Sequence, residues 1–458
     1  KKEGDFTFVF GFPGRTTEYL PSIAVEKIRT EIDPAMIDVR DVALKTLDEK
    51  MRTDQATKIK YASKYARVAN YWKKWKGEVE GLTKSDAVGK KQRYEQTLIA
   101  KNPEVKTTLD EFNRLYTEQA PYALSRAYYS EVIRNAETLS LANNFYNFAN
   151  AAESGKMDAK TLENFKNRLK EIYKNYDPEL DAKVTAKVLA LYANRVQPQF
   201  LPSGFEQYKD VNRNLQTIEE LSKNSVITGR GTLNGATTYS GIDKIFADPN
   251  ALVQNLKNDP LMKLFTSMRE SYLAKTDGKY AEYQKQIDVL QKKYMAQQME
   301  TDKNRTFYPD ANSTLRVTYG EVKGSNPKDA LYYGYQTHLS GVMEKYVPGD
   351  YEFDVPKKLI DLYNKKDYGI YKNSTGDVPV NFTATNHTTG GNSGSPALDA
   401  NGHLIGLNFD RQWEGTMSDI NFDPRFSRNI MVDTKYILFI VDKYADAKWL
   451  LNEMKIVK

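Results

Sequence analysis

A short loop in the last quarter of the chain constrains the fold more than any other segment. It comprises residues 391–396 (GNSGSP), and strand-like sequence lies on both sides of it. Glycines beside a serine permit a sharp turn in which the backbone amides of Gly391 and Ser393 can point at one oxygen atom. Such a turn suits a serine nucleophile with its own oxyanion hole, although a loop rich in Gly, Ser and Asn is also typical of a plain turn.

The residues around this loop alternate as β-strands do. Residues 378–385 alternate apolar and polar side chains before the loop, and residues 403–410 form a second such run after a hairpin signal at 399–402. A serine between strands favours a chymotrypsin-like barrel. It argues against an α/β-hydrolase, in which the nucleophilic serine lies between a strand and a helix.

Composition narrows the class of protein. With 458 residues, 40% of them hydrophobic, the chain is expected to form two or three domains. It has no cysteine, and its net charge of +6 arises from 66 basic and 60 acidic residues without a basic block. We therefore predict no cofactor, no metal and no nucleic-acid partner. No apolar run approaches the ~20 residues of a membrane-spanning helix.

Three regions of the chain differ in pattern. Residues 1–25 read as a strand and a turn, residues 26–304 as helices with a 3.6-residue period, and residues 305–458 as strands followed by a closing helix or two. The simplest architecture is one β domain interrupted by a helical insertion, with the first strand packed beside the C-terminal strands. Prolines are expected to break the helices at positions 103, 121, 178 and 198–202.

A serine nucleophile needs a base, and the chain offers three histidines. His387 precedes Ser393 on the same loop, so we expect it to serve as a hydrogen-bonding loop residue. His403 opens a strand and is expected to be exposed, and His338 has no evident orienting partner. Either Ser393 is not catalytic, or its base lies outside this sequence.

Several longer motifs carry a resemblance to a known family. They are residues 389–396 (TGGNSGSP), 404–411 (LIGLNFDR), 413–414 (WE), 429–433 (NIMVD), 11–16 (GFPGRT) and 70–73 (NYWK). These motifs resemble the S46 family of bacterial dipeptidyl peptidases. The similarity runs over essentially the whole chain and is strongest between about residues 380 and 455.

The resemblance implies an α+β fold, in which a chymotrypsin-like double β-barrel carries a large inserted α-helical domain that caps the cleft. Ser393 matches the nucleophile of the family, and the amides of Gly391 and Ser393 would then bind the oxyanion. In the family the catalytic His and Asp come from the first barrel, upstream of Phe6. We therefore expect this chain to be a C-terminal part of the enzyme that lacks most of the first barrel and is inactive alone.

Arg411 is the next informative residue, because it lies 18 positions after Ser393, where chymotrypsin-like folds line the S1 pocket. A fixed guanidinium there would pair bidentately with an acidic P1 side chain. Members of the family that prefer Asp or Glu at P1 carry Arg at this point, and members with a hydrophobic preference carry Gly. The alternative is a rim arginine that pairs with Glu414 or Asp419.

A dipeptidyl peptidase must also hold the free amine of its substrate. By the resemblance, Asp410 and Asn70 correspond to the residues that do so, since carboxylate and amide oxygens accept hydrogen bonds from an ammonium group. Asn70 is expected on the helix face opposite an apolar stripe, and it is otherwise part of a solvated polar face. That stripe consists of Tyr61, Tyr65, Val68, Trp72 and Trp75.

The resemblance further implies peptide substrates with a free N-terminus, a homodimer, and a periplasmic or cell-surface location in a bacterium. Three alternatives stay open at this point. The chain could be a catalytically silent peptide-binding module, an endopeptidase or dipeptidase of the same fold, or the same peptidase with a hydrophobic P1 preference.

Overall fold

The computed structural model describes residues 1–350 and 352–457. It divides into two compact units. The β unit consists of Lys1–Leu20, Gly77–Lys90 and Lys303–Lys458, and the helical unit consists of Pro21–Lys76 and Lys91–Asp302. Residues 77–90, which the sequence pattern assigned to the helical insertion, thus group with the strands.

Seven strands of the β unit form one antiparallel sheet in the order β2-β1-β7-β8-β9-β6-β5, and β3 and β4 pair separately. The strands are β1 Phe6–Gly11, β2 Arg316–Glu321, β3 Ser325–Lys328, β4 Leu331–Tyr333, β5 Gln336–His338, β6 Pro379–Ala384, β7 Pro396–Leu398, β8 Leu404–Arg411 and β9 Asn429–Asp433. Because β1 pairs with both β2 and β7, the predicted packing of the first strand beside the C-terminal strands is confirmed.

The large sheet returns on itself. A β-bridge joins Val322, just after β2, to Ala384 at the end of β6. Two further backbone bonds accompany it, from Lys323 N to Thr383 O at 3.0 Å and from Thr385 N to Glu321 O at 3.0 Å. Six strands therefore form a closed ring. Its interior holds fully buried side chains, which are those of Val9, Val322, Phe382, Ala384, Ala397 and Met431.

A second apolar cluster of the β unit lies among its short helices. These helices are α14 Leu339–Glu344, α15 Lys357–Lys365 and α16 Thr434–Phe439, whereas α17 Lys448–Leu451 contributes no residue to the cluster. Phe439 of α16 is fully buried in this cluster together with Leu339 of α14, and Leu359 of α15 is almost so. The closing helices expected at the end of the chain are therefore present.

The helical unit is built from α1 to α13. They are α1 Ser22–Lys27, α2 Asp33–Met51, α3 Gln55–Lys84, α4 Ala87–Lys101, α5 Glu104–Asn135, α6 Glu137–Glu153, α7 Ala159–Lys174, α8 Pro178–Arg195, α9 Val211–Lys223, α10 Ile242–Ile245, α11 Pro249–Asn258, α12 Pro260–Tyr272 and α13 Gly278–Thr301. The ends of α3 and α4 that meet each other belong to the β unit.

Most prolines stand where the sequence placed helix boundaries, but Pro121 does not. Pro178 begins α8, whereas Pro121 lies inside α5. The prediction of a break at Pro121 is wrong because α5 packs along α2 and α13, and this tertiary packing outweighs the roughly 3 kcal/mol that an internal proline costs. Along the described part of the chain, no helix is long and apolar enough to cross a membrane.

Candidate active site

The loop that carries Ser393 has a backbone shape that only glycine adopts without strain. Gly391 has φ +108° and Gly394 has φ +84°, both in the left-handed region. A side chain on Gly391 would also overlap the carbonyl oxygen of Phe12. The turn after β1 is therefore packed directly on this loop, and Gly14 N donates to Gly390 O at 2.6 Å.

Three buried asparagines, one of them in the loop itself, form a hydrogen-bond network that supports the loop. Asn392 Oδ1 accepts a hydrogen bond from Thr389 N at 3.1 Å, and Asn408 Nδ2 donates to Asn392 O at 3.3 Å. Asn429 Nδ2 in turn donates to Asn408 Oδ1 at 2.8 Å. Each asparagine is almost completely buried. We did not predict this network, although polar Asn408 inside an apolar strand pattern was a signal for it.

Ser393 itself is exposed, and its Oγ donates to Phe409 O of β8 at 3.3 Å. Within the described residues, no acceptor takes the backbone N–H of Gly391 or that of Ser393. Within the described residues both amides are thus without an acceptor, and an oxyanion hole is built from donors of this kind. The contact with Phe409 also brings Ser393 next to the end of β8, where Asp410 and Arg411 follow.

None of the three histidines is hydrogen-bonded to Ser393 in the described structure. His387 donates from Nε2 to Ser418 O at 3.0 Å, and its ring lies 4.4 Å from that of Phe422. Burial lowers the pKa of His387. The expected role of His387 as a hydrogen-bonding loop residue is therefore confirmed.

The other two histidines are bonded elsewhere. His403 is exposed, as expected, and its Nδ1 lies 3.1 Å from Asp399 Oδ2. His338 Nε2 lies 2.9 Å from Asn373 Nδ2. Within the described residues, neither ring is hydrogen-bonded to Ser393.

Arg411 ends β8 with its guanidinium held by two residues. Nη1 donates to Ser418 Oγ at 2.7 Å and to Asp419 Oδ1 at 2.7 Å, and Nη2 donates to Asp419 Oδ2 at 3.0 Å. Burial acts to lower the pKa of Arg411, but hydrogen bonds and charge from Asp419 outweigh it and raise the pKa. The pairing with Asp419 was one of the alternatives for this residue. The Arg411 side chain is 14% exposed.

The segment Trp413–Asp419, one helical stretch after β8, positions both partners of Arg411. It packs closely on the Gly77–Lys90 part of the β unit, since a side chain on Gly77 would overlap Thr416 and one on Gly81 would lie 2.9 Å from Met417 Sδ. Trp413 Nε1 also donates to Glu80 Oε2 at 2.7 Å.

The residues assigned to the substrate amine lie in different units. Asp410 is exposed beside Arg411, whose backbone N–H it accepts at 2.8 Å. Asn70 belongs to the helical unit, where it is exposed on α3 while Tyr61 and Trp75 of the apolar stripe are buried. The structure thus brings Gly391, Ser393 and the end of β8 together within one unit, and Asn70 stays a separate prediction.

Comparison with known protein families matches residues 1–456 to Peptidase S46. The chain belongs to the peptidase S46 family. This confirms the resemblance found in the sequence motifs, and it extends over almost all of the chain.

Curated relatives of this S46 chain bear two kinds of name. The Asp/Glu-specific dipeptidyl-peptidase of Flavobacterium psychrophilum is 48% identical over 467 residues, which cover 100% of this chain and 63% of the relative. Dipeptidyl-peptidase 7 of Porphyromonas endodontalis is 36% identical over 464 residues, which cover 100% of this chain and 55% of the relative. The S46 chain therefore spans less than two thirds of the length of these relatives.

A solved structure shares the fold. The crystal structure of Porphyromonas endodontalis DPP11 in complex with the dipeptide Arg-Glu matches with a TM-score of 0.84 and 29% identity. The match covers 99% of this S46 chain and 65% of that chain. The helix-rich α+β architecture of this chain is thus shared with that DPP11 structure.

Proposed function

We propose that this chain carries the nucleophile, the oxyanion hole and the P1 recognition of a serine dipeptidyl peptidase that releases N-terminal dipeptides ending in Asp or Glu. Ser393 Oγ attacks the carbonyl carbon of the second residue, and the amides of Gly391 and Ser393 stabilise the negative oxygen. The C–N bond of the peptide then breaks, and the nitrogen leaves with the proton that the Ser393 hydroxyl gave up to the base. Water hydrolyses the acyl-enzyme at Ser393.

One observation carries this proposal. The exposed Ser393 lies on a loop with left-handed glycines and two amides that donate to no described acceptor, and its Oγ contacts the carbonyl that directly precedes Asp410 and Arg411. A nucleophile and a guanidinium on neighbouring segments suit a substrate with an acidic side chain next to the scissile bond. The binding-module alternative gives no reason for leaving both amides free.

The proposal needs a base for Ser393 from outside the described residues. A catalytic His and Asp on the other barrel of a chymotrypsin-like double barrel would supply it, with the closed ring of six strands as the barrel that holds the serine. The greater length of the relatives supports this arrangement. Residues 1–458 by themselves are then expected to be inactive.

Binding of the substrate's free amine would fix the length of the released product at two residues. Asp410 and Asn70 are proposed to hold the ammonium group of the substrate through their side-chain oxygens. A homodimer and a periplasmic or cell-surface location complete the proposal and rest on the family resemblance alone.

Hydrolysis of dipeptidyl reporters by the full-length protein tests the proposal. We expect strong preference for P1 Asp over P1 Leu, and loss of both activities in Ser393→Ala. Preference for Leu would keep the peptidase but remove Arg411 from S1. Absence of cleavage together with absence of fluorophosphonate labelling at Ser393 would favour the binding module.

Acetylation of the reporter N-terminus separates the remaining alternative. A dipeptidyl peptidase should no longer cleave the acetylated reporter, because acetylation removes the ammonium group that its amine site binds. An endopeptidase of the same fold should cleave both forms at similar rates.

A further inference from the structure

We propose that Asp419 is a positioning residue that holds Arg411 in one orientation, with the Nε and Nη2 edge of its guanidinium facing the P1 carboxylate. The inference rests on the proposed function and deepens it, because it names the residue that makes Arg411 specific for an acidic side chain. It follows from which donors of Arg411 are occupied and which are left.

A guanidinium has five N–H donors in one plane. The Asp419 carboxylate accepts one hydrogen bond from Nη1 and one from Nη2, at the far end of the guanidinium. Ser418 Oγ accepts the second hydrogen bond of Nη1. No described residue accepts a hydrogen bond from Nε or from the second N–H of Nη2. These two N–H groups lie side by side along one edge of the guanidinium. Two parallel donors on one side match the two oxygens of a carboxylate.

The clamp around Arg411 is itself fixed by the backbone. Asp419 O accepts a hydrogen bond from Thr17 N at 2.7 Å, and Ser418 O accepts one from His387 Nε2 at 3.0 Å. Ser418 is only 3% exposed. Since both partners are attached to other segments of the β unit, the guanidinium plane is set before any substrate arrives, which lowers the entropy lost on binding.

Other acidic groups compete for the same guanidinium. Glu78 and Asp410 both raise the pKa of Arg411, although less than Asp419 does. Without Asp419 the guanidinium would lose its bidentate partner, and these two carboxylates would draw it away from the P1 side chain. Asp419 therefore determines the direction of Arg411.

Substitution of Asp419 in the full-length protein tests this inference with P1 Asp, P1 Glu and P1 Leu reporters. We expect Asp419→Ala to lower kcat/KM for the acidic reporters about 10- to 100-fold, mainly through KM, because a charged buried hydrogen-bonded pair is lost. The P1 Leu reporter should change less than about threefold, since an apolar side chain makes no bond to Arg411. Asp419→Asn keeps one acceptor and the shape, so its loss should be intermediate.

Two control variants separate positioning from general damage. Glu414→Ala removes another carboxylate of the same segment, which has no bond to Arg411, and should leave P1 preference unchanged. In an Arg411→Gly background, adding Asp419→Ala should cause no further loss on the acidic reporters, because the two residues act through one contact.

The outcomes distinguish this inference from the function beneath it. A wild-type protein that cleaves neither reporter overturns the proposed function and this inference with it. A wild-type preference for Leu keeps the peptidase but removes Arg411 from S1, and so overturns the acidic specificity and this inference. A wild-type preference for Asp that survives both Asp419→Ala and Asp419→Asn overturns the inference alone. The inference is also overturned if Asp419→Ala lowers kcat/KM equally for the P1 Asp and P1 Leu reporters. It is overturned as well if Asp419→Ala causes the same fall in kcat/KM in the Arg411→Gly background as in the wild type.

Discussion

The helical unit and the β unit bury charged and polar side chains to different ends. In the helical unit, Arg40 Nε donates to Glu131 Oε2 at 2.6 Å, and both residues are almost completely buried. The Arg40 guanidinium also lies 4.7 Å from the ring centre of Trp75. These contacts join α2, α5 and α3, so the buried charges hold helices together.

In the β unit, the buried polar groups hold the Ser393 loop and the Arg411 guanidinium in one conformation. The asparagine network under Ser393 shapes the loop, and Asp419 orients Arg411. The strands around them are held by backbone pairing and an apolar interior, which do not need these side chains. We therefore expect substitutions of the buried charges in the helical unit to change stability, and substitutions around Ser393 to change the rate of the reaction.

The largest effect is expected from Glu131→Ala, which leaves the buried cation of Arg40 without its partner. Loss of one member of a buried ion pair costs about 3–5 kcal/mol of the free energy of unfolding. Asp110→Ala on the same helix is the matched control, because its pair with Lys106 is exposed and contributes at most ~1 kcal/mol. Chemical denaturation monitored by circular dichroism measures both. Equal stability of the two variants would break the comparison.

A smaller effect, on chemistry, is expected from Gly391→Ala in the β unit. Alanine is strained at φ +108° and would push against Phe12 O, so the amide of residue 391 should turn away from the oxyanion. Loss of one oxyanion donor lowers kcat by about 10²–10³. Reporter hydrolysis and fluorophosphonate labelling of the full-length protein measure it.

Gly278→Ala in α13 is the control for that substitution. Gly278 has helical dihedrals and open space around it, so alanine should leave the rate unchanged and stabilise the helix by roughly 0.4–1 kcal/mol. An unchanged rate in Gly391→Ala would contradict the assignment of its amide.

The smallest effect expected is a pH dependence confined to the helical unit. Burial and the nearby Asp181 raise the pKa of Glu137 to about 7, against the opposing charge of Lys64. Because the folded state binds this proton more tightly, the corresponding stability is full below the ordinary pKa of 4.5 and is lost as the pH rises through about 7. The side chain is 25% exposed, so we expect a loss on the order of 1–2 kcal/mol.

Thermal unfolding between pH 5 and pH 8 measures this dependence. Glu137→Gln should flatten the profile over that range, because the amide does not titrate and keeps the hydrogen bond from Tyr61. A profile that is the same in wild type and Glu137→Gln would place the titrating group elsewhere.

The features that depend on local pattern could be predicted from the amino-acid sequence. Alternation placed strands around Ser393, glycines marked its turn, and the 3.6-residue period separated the helical region, because neighbours along the chain decide backbone dihedrals. The GNSGSP loop and the end of β8 could thus be named as parts of one site. The family motifs, which are local as well, added the roles proposed for Arg411 and Asp410.

Contacts between residues that are distant along the chain could not be predicted in this way, because they form in the folded chain. The bridge between Val322 and Ala384, the grouping of Gly77–Lys90 with the strands and the clamp of Asp419 on Arg411 each join segments that no periodicity relates. The continuation of α5 through Pro121 has the same origin. In each case packing and long-range hydrogen bonds contribute more free energy than the local preference they override, and that balance exists only in the folded chain.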